Sequence, residues 1–344
     1  MEQSEVLIIG AGPVGIGVAW HLQQAQIETL HVDAGSIGHT IARSFPPSTR
    51  FFSSPERLAI AGVDIPLHAQ EKLTGEAYLA YLRSVVVTRN LPIRTFCRVV
   101  SAKRIDGGGY RVGMSEPSGR SWEVEVKRVV LASGGTDRPR QLGIPGEDLP
   151  HVHNSLGDPH RFFQRRVLVV GGRNSAIESA LRCWRVHADV AISYRGEDIH
   201  ERVKYWLRPE VVSLIKEGRI KAFMPTRVHE ILPDRVVLEQ LDSGETIDVP
   251  VDDVILQIGY EQDGTLFRLF GISTEGEPES PVHNPDTLET DIPCVYVAGT
   301  ATAGTQYRFA AYIETSHDHG PRIAAALTGA PPPPVAEARV LPEA

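Results

Sequence analysis

The sequence predicts an α/β protein with two βαβ units of the dinucleotide-binding kind. Three observations carry that reading. Two apolar strands each run straight into a glycine turn, Gly10-Ala11-Gly12-Pro13-Val14-Gly15 and Gly171-Gly172-Arg173-Asn174-Ser175-Ala176. Each turn is followed by a helix-period pattern and then by a second short strand. The chain has 344 residues, enough for two domains at roughly 150 residues apiece.

In the first unit, Val6-Leu7-Ile8-Ile9 is a continuous apolar run, as in a strand buried on both faces. Val14, Val18 and Leu22 recur at helical spacing, and Leu30-His31-Val32 makes the next strand, ending at Asp33. A GxGxxG turn lets the backbone approach a pyrophosphate. It also sets that group at a helix N-terminus, where unpaired N–H groups and the helix dipole favour an anion. Gly10, Gly12 and Gly15 fill the three positions, with Pro13 and Val14 between them. Asp33 stands where a carboxylate accepts hydrogen bonds from a ribose. A tight turn that only packs helix on strand would use the same glycines. The strand, helix, second strand and acid together favour dinucleotide binding.

The second unit repeats the pattern at Val167–Val170. Ala176, Ile177, Ala180, Leu181 and Trp184 line one helix face, and Ser175 and Glu178 are spaced for a capping box at its start. Arg173 replaces the usual middle glycine. The next strand begins at Val190-Ala191-Ile192 and leads into Tyr194-Arg195-Gly196, with no acid at its end. A carboxylate there selects NAD through the 2′-hydroxyl, whereas a basic side chain suits the 2′-phosphate of NADP. Arg195 is the candidate phosphate ligand, with Arg202 and Lys204 as helpers, although those two also read as a solvated helix face.

Further along, the apolar segment Val124–Ala132 ends in Ala132-Ser133-Gly134-Gly135, and Val295-Tyr296-Val297-Ala298-Gly299-Thr300 is another strand running into a turn. A last long helix is predicted to begin at Arg308-Phe309-Ala310. The proline run at 331–334 and the residues after it read as a disordered tail.

Composition narrows the function. Hydrophobic residues are 42% and charged residues 23%, which excludes a wholly disordered chain. With 35 basic against 43 acidic residues the net charge is -8, so no general attraction to nucleic acid or anionic membrane is expected. No apolar run reaches the roughly 18 residues of a membrane span. Cys97, Cys183 and Cys294 form no CxxC pair, which fits a reducing cytoplasm. Each reads as a buried free thiol. His317 and His319, two apart, would point to different helix faces, so no metal site is expected.

These segments, with Phe51-Phe52-Ser53-Ser54-Pro55-Glu56-Arg57-Leu58 and Ile144-Pro145-Gly146-Glu147-Asp148-Leu149-Pro150, resemble the low-molecular-weight thioredoxin reductase group of flavoproteins. Within it the likeness is to the bacillithiol disulfide reductases, from about residue 4 to about residue 328. The resemblance implies two Rossmann-like domains. An FAD domain would be split between residues 1–152 and 257–328, with an NADPH domain inserted at 153–256 and a tail at 329–344. It implies hydride transfer from NADPH to FAD, then delivery to a small-molecule or small-protein acceptor, in a homodimer or higher homo-oligomer. Phe52 and Ser53 would lie beside the flavin, Ser133, Gly134, Gly299 and Thr300 around the FAD, and Arg308, Phe309 and Ala310 at its ring edge.

Three departures matter. The glycine-turn cysteine of the bacillithiol disulfide reductases is Val14 here, the CxxC pair of the thioredoxin reductases is absent, and Thr300 stands where many flavoproteins use Asp. The electron-input parts are present and both thiol output devices are missing. Two alternatives stay open at this point. A flavin monooxygenase is one, since His151 and His153 follow the Pro-Gly segment. A flavin-loaded sensor without turnover is the other.

Overall fold

The computed structural model describes residues 1–45, 48–66, 71–306 and 311–334. The described chain forms two compact units, one of residues 1–138 with 260–334, the other of Pro139–Gly259.

In the first unit, strand β1 (Glu2–Ile9) leads through the glycine turn into helix α1 (Pro13–Gln24) and then strand β2 (Thr29–Val32). A seven-stranded sheet runs Ile93–Arg94, β2, β1, Ser121–Leu131, Tyr110–Ser115, Arg98–Arg104, with Val295–Val297 also paired to Ser121–Leu131. The long strand Ser121–Leu131 lies parallel to β1 along one edge. Along its other edge it pairs antiparallel with Tyr110–Ser115 and then, in its last residues, parallel with Val295–Val297. Alternation along β1 feeds two cores. Val6 and Ile8 pack with Ile16, Val18 and Leu22, while Leu7 and Ile9 pack with Val112, Met114 and Leu131.

The second unit carries a five-stranded parallel sheet in the order Lys221–Phe223, Asp189–Ser193, Arg166–Val170, Asp253–Leu256, Val152–His153. The helix Asn174–Arg185 covers one face, and an antiparallel sheet of Thr226–Ile231, Arg235–Gln240 and Thr246–Pro250 accompanies it. The α/β class with two such units agrees with the sequence reading.

Three details depart from it. The first segment of the first unit ends earlier than residue 152, because Leu142, Ile144, Leu149 and Val152 pack into the core of the second unit. Gly146 sits there at φ +82°, and a methyl group on it would meet Ile231 O at 1.8 Å. The second helix has no capping box. Its N-cap is Arg173, so Ser175 falls inside the first turn, and Glu178 pairs with Lys204 Nζ at 3.5 Å. The last helix is His319–Thr328, with turns over 311–318. Pro321 dictates this, since a helix begun near Arg308 would place its ring against the preceding turn, whereas in a first turn its missing N–H costs nothing. Arg308, Phe309 and Ala310 themselves, and the tail beyond residue 334, lie outside the described residues.

Candidate functional site

The first glycine turn is built by three glycines with three different reasons. Gly10, at φ +113°, approaches the backbone of Ala132 so closely that a methyl group would lie 2.3 Å from Ala132 O. Gly15 lets α1 pack on the turn, since a methyl group there would lie 1.9 Å from Gly10 O. Gly12 caps the helix, and beyond its chain neighbours no atom of the described residues lies within 4 Å of where its side chain would begin. Packing explains the first two. The space before Gly12, at the N-terminus of a helix, is the cradle a pyrophosphate needs.

Asp33 is locked beside this cradle. One carboxylate oxygen accepts from Ala11 N at 2.6 Å and the other from Gly35 N at 2.7 Å. A carboxylate has about four acceptor positions, so two remain for ribose hydroxyls. The loop segments gather at the same place. Gly134, at φ +90°, gives its carbonyl to Gln262 Nε2 at 2.8 Å, and Gly135 packs on Thr300 O. Gly299, at φ +72°, leaves no room between its backbone and Val14. Phe51 is a core anchor stacked on Phe45 and edge-on to Tyr78, while Phe52 is half-buried and Ser53 buried.

Two histidines outside the motif hold this region. His31 is 1% exposed on β2, and its Nε2 donates to Gly10 O at 2.9 Å while Nδ1 has no partner among the described residues. Burial pushes its imidazole down to about 4 from the ordinary 6.5. His319 Nδ1 accepts from Gly299 N at 2.9 Å, and burial pushes it down as well. A histidine inside an apolar strand was the readable signal for the first. Both imidazoles are neutral in the folded chain at pH 6.5 and take up protons more readily when it unfolds. Stability is therefore full above about pH 6.5 and falls as the pH drops towards 4, by on the order of 3 kcal/mol for His31. The melting temperature should fall across that window, and less steeply in His31→Gln. A flat profile would contradict this account.

The second turn resembles the first. Gly171, at φ +134°, faces Gln257 O at 2.5 Å from a would-be methyl group, and Ala176 is fully buried against the turn. The Tyr194 ring lies on Gly172 and Gly196, leaving no room for a side chain at either. Asn174 Oδ1 accepts from Lys204 N at 2.7 Å, and Gly172 O accepts from His200 N at 3.3 Å, so the loop after the next strand is tied back to the turn. Arg173, Arg195 and Arg202 are exposed around this loop, and the Arg195 guanidinium has no partner among the described residues. Burial, then the nearby charges of Arg173 and Arg202, push His200 below its ordinary value. Lys204 does not join them at the surface. It is 7% exposed, paired with Glu178 and set over the Trp206 ring. His153 is likewise structural, its Nε2 donating to Oδ1 of buried Asp253 at 2.8 Å. Among the described residues no group of three His, Cys, Asp or Glu side chains gathers as metal ligands, and no helix is long and apolar enough to cross a membrane.

Two glycine turns, each opening a helix at the carboxyl end of a parallel strand, define a two-dinucleotide oxidoreductase. The chain belongs to the pyridine nucleotide-disulphide oxidoreductase family, whose model matches residues 7–299, and it is an enzyme of the oxidoreductase class. It is similar to bacilliredoxin reductase Bdr of Bacillus subtilis (strain 168), at 30% identity over 327 residues, 95% of this chain and 98% of that one. It is similar in structure to bacillithiol disulfide reductase Bdr from Bacillus cereus, with a TM-score of 0.89 and 30% identity over 95% of this chain and 99% of that chain. A ferredoxin–NADP reductase of Ignicoccus hospitalis is 26% identical over 307 residues, 87% of this chain and 90% of that one. The resemblance read from the motifs is thereby borne out.

Proposed function

We propose that the chain oxidises NADPH, holds FAD in its first unit, and delivers electrons from it directly to a bound acceptor without a cysteine relay. The observation that carries this reading is the open cradle at Gly12 beside a carboxylate that keeps two acceptor positions. FAD supplies the two-electron chemistry when bound. Pro13 and Gly12 present the helix N-terminus to its pyrophosphate, and Asp33 takes its ribose. In the second unit, Arg173 and Arg195 face the phosphates of NADPH. The acceptor is a small molecule or a small protein, and the names of the Bdr relatives make a small disulfide one candidate. The test is rapid mixing of yellow, purified protein with NADPH under nitrogen, which should bleach the flavin band. Disulfides, quinones and oxygen are then screened for its return. Protein without flavin, or flavin that NADPH does not bleach, would end this reading.

Cys97 and Cys183 are placed for packing, whereas Cys294, expected to be buried like them, is only half-buried. Cys97 is 1% exposed with its thiol against Met114 Sδ at 3.6 Å, and burial pushes it up to about 11. Cys183 is fully buried on the second helix and pushed up to about 12. Neither supplies a thiolate near pH 7. Val14 carries no sulfur at all. A variant with all three cysteines changed to Ser or Ala should keep its flavin, its reduction by NADPH and its turnover of the acceptor. Loss of acceptor turnover alone would make one cysteine catalytic.

A further inference from the structure

A cavity of about 210 Å³ runs along α1 from the end of the first glycine turn. Its apolar walls include Val14, Ile60 and Ile313, and Trp20, His21 and His317 supply rings and polar atoms. Among the described residues no Lys, Arg, Asp or Glu lines it. Four observations say that the space is kept for a ligand.

Gly17 lies in the interior of α1, where glycine weakens a helix. Its φ is not positive, and beyond its own helix turn no atom of the described residues lies within 4 Å of where a side chain would begin, so neither backbone geometry nor packing demands it. It borders the cavity. The Trp20 Nε1–H is buried with no acceptor among the described residues. His21 makes no side-chain hydrogen bond among them, and burial lowers its pKa, so at neutral pH it offers one N–H and one lone pair. His317 Nε2 donates to Arg57 O at 2.7 Å, which leaves its Nδ1 as an acceptor.

An unpaired buried donor such as the Trp20 N–H is costly unless a ligand satisfies it. Two N–H donors in an uncharged, ring-lined space match a flat, neutral molecule bearing carbonyl oxygens. They do not match an anionic thiol, for which the lining holds no counter-charge. An engineered cavity of about 150 Å³ admits benzene, so this one accepts a larger ring system. The strained turn opposite α1 is clamped for the purpose: Ala61 and Gly62 both have positive φ, and their carbonyls accept from Arg89 at 2.8 and 2.7 Å.

We propose that this cavity binds a small uncharged quinone, which is the electron acceptor. The inference rests on the oxidoreductase reading above and deepens it. The balance is complete: NADPH gives up a hydride, solvent gives one proton, and the quinone gains two electrons and two protons to become the hydroquinone, leaving NADP⁺. The His21 imidazole, its pKa lowered by burial, holds a lone pair that can receive a hydroquinone O–H group.

The test uses the full-length flavin-loaded protein and 2-methyl-1,4-naphthoquinone. Binding to the oxidised protein is measured by calorimetry without NADPH, and turnover is measured with NADPH, using ferricyanide as a second acceptor. Gly17→Leu puts a side chain into the cavity and favours the helix. It should weaken naphthoquinone binding and lower its kcat/KM by at least about 10-fold, leaving flavin content and ferricyanide reduction unchanged. Trp20→Phe keeps the ring, removes the donor and should weaken binding about 5-fold. Quinone that does not bind the starting protein, or that Gly17→Leu binds and reduces equally well, overturns the proposal. Protein that reduces ferricyanide but not the quinone sinks the quinone alone. Protein that lacks flavin or oxidises no NADPH with either acceptor sinks the underlying reading.

Discussion

Gly12→Leu is expected to purify folded and colourless. Beyond its chain neighbours, no atom of the described residues stands within 4 Å of the new side chain's first carbon, so the fold has no reason to resist it. The leucine instead occupies the approach of the pyrophosphate to the helix N-terminus, and every hydrogen bond from that turn to the phosphates is lost with it. Each charge-assisted bond contributes about 1.5–3 kcal/mol, so losing two lowers affinity by roughly 100-fold to 20,000-fold. Gly15→Val is the contrast. Its side chain would begin 1.9 Å from Gly10 O, and the expected result is poorly folded protein. The checks are the ratio of flavin to protein absorbance and the circular dichroism spectrum. A Gly12→Leu protein that is native by dichroism and still fully yellow would remove this turn from the site.

The starting protein should prefer NADPH to NADH, and Arg195→Ala should erase most of that preference. The exposed Arg195 guanidinium at the end of the strand Asp189–Ser193 has no partner among the described residues to compete with a phosphate. A guanidinium–phosphate contact at about 1.5–3 kcal/mol corresponds to roughly 10–150-fold in affinity. The loss should fall on NADPH and spare NADH, because only the former carries the 2′-phosphate. Flavin reduction rates at varied cofactor concentration give both affinities. Equal affinities for the two cofactors in the starting protein would refute the assignment. Lys204→Ala is not expected to imitate Arg195→Ala, because Lys204 is committed to Glu178.

What could be read from residues alone was what local sterics determine. The turns at Gly10–Gly15 and Gly171–Ala176 are legible because backbone approach requires glycine or alanine at particular positions, and the strands before them because they are buried on both faces. Asp33 was legible as an acid at a strand end, but not its two backbone donors, which come from the turn and from Gly35. The early boundary of the first unit was not legible, since Ile144 and Leu149 reveal their allegiance only by packing on a distant sheet. Lys204 looked like any surface lysine for the same reason. The start of the last helix was legible and was misread: Gly320-Pro321 fixes the first turn, and Gly320 is also where that helix meets Gly17 O and His21. The cavity beside Trp20 had no signature beyond one glycine in the middle of a helix.

The way the chain leaves and re-enters the first unit has a consequence for how each unit tolerates change. Asp137 N donates to Glu261 O at 2.9 Å, so the first unit closes its own gap. Arg140 N donates to Gly259 O at 3.0 Å, so the second unit does the same at its ends. To the first unit the whole insertion is a loop with its mouth already fastened, and a loop's closure entropy grows only by about 0.6 kcal/mol for each doubling of its length. Lengthening, shortening or exchanging what lies between residues 140 and 259 therefore places little entropic burden on the unit that holds the first glycine turn. The second unit can diverge while the first keeps the geometry of its glycine turn, as two trades carried on one thread.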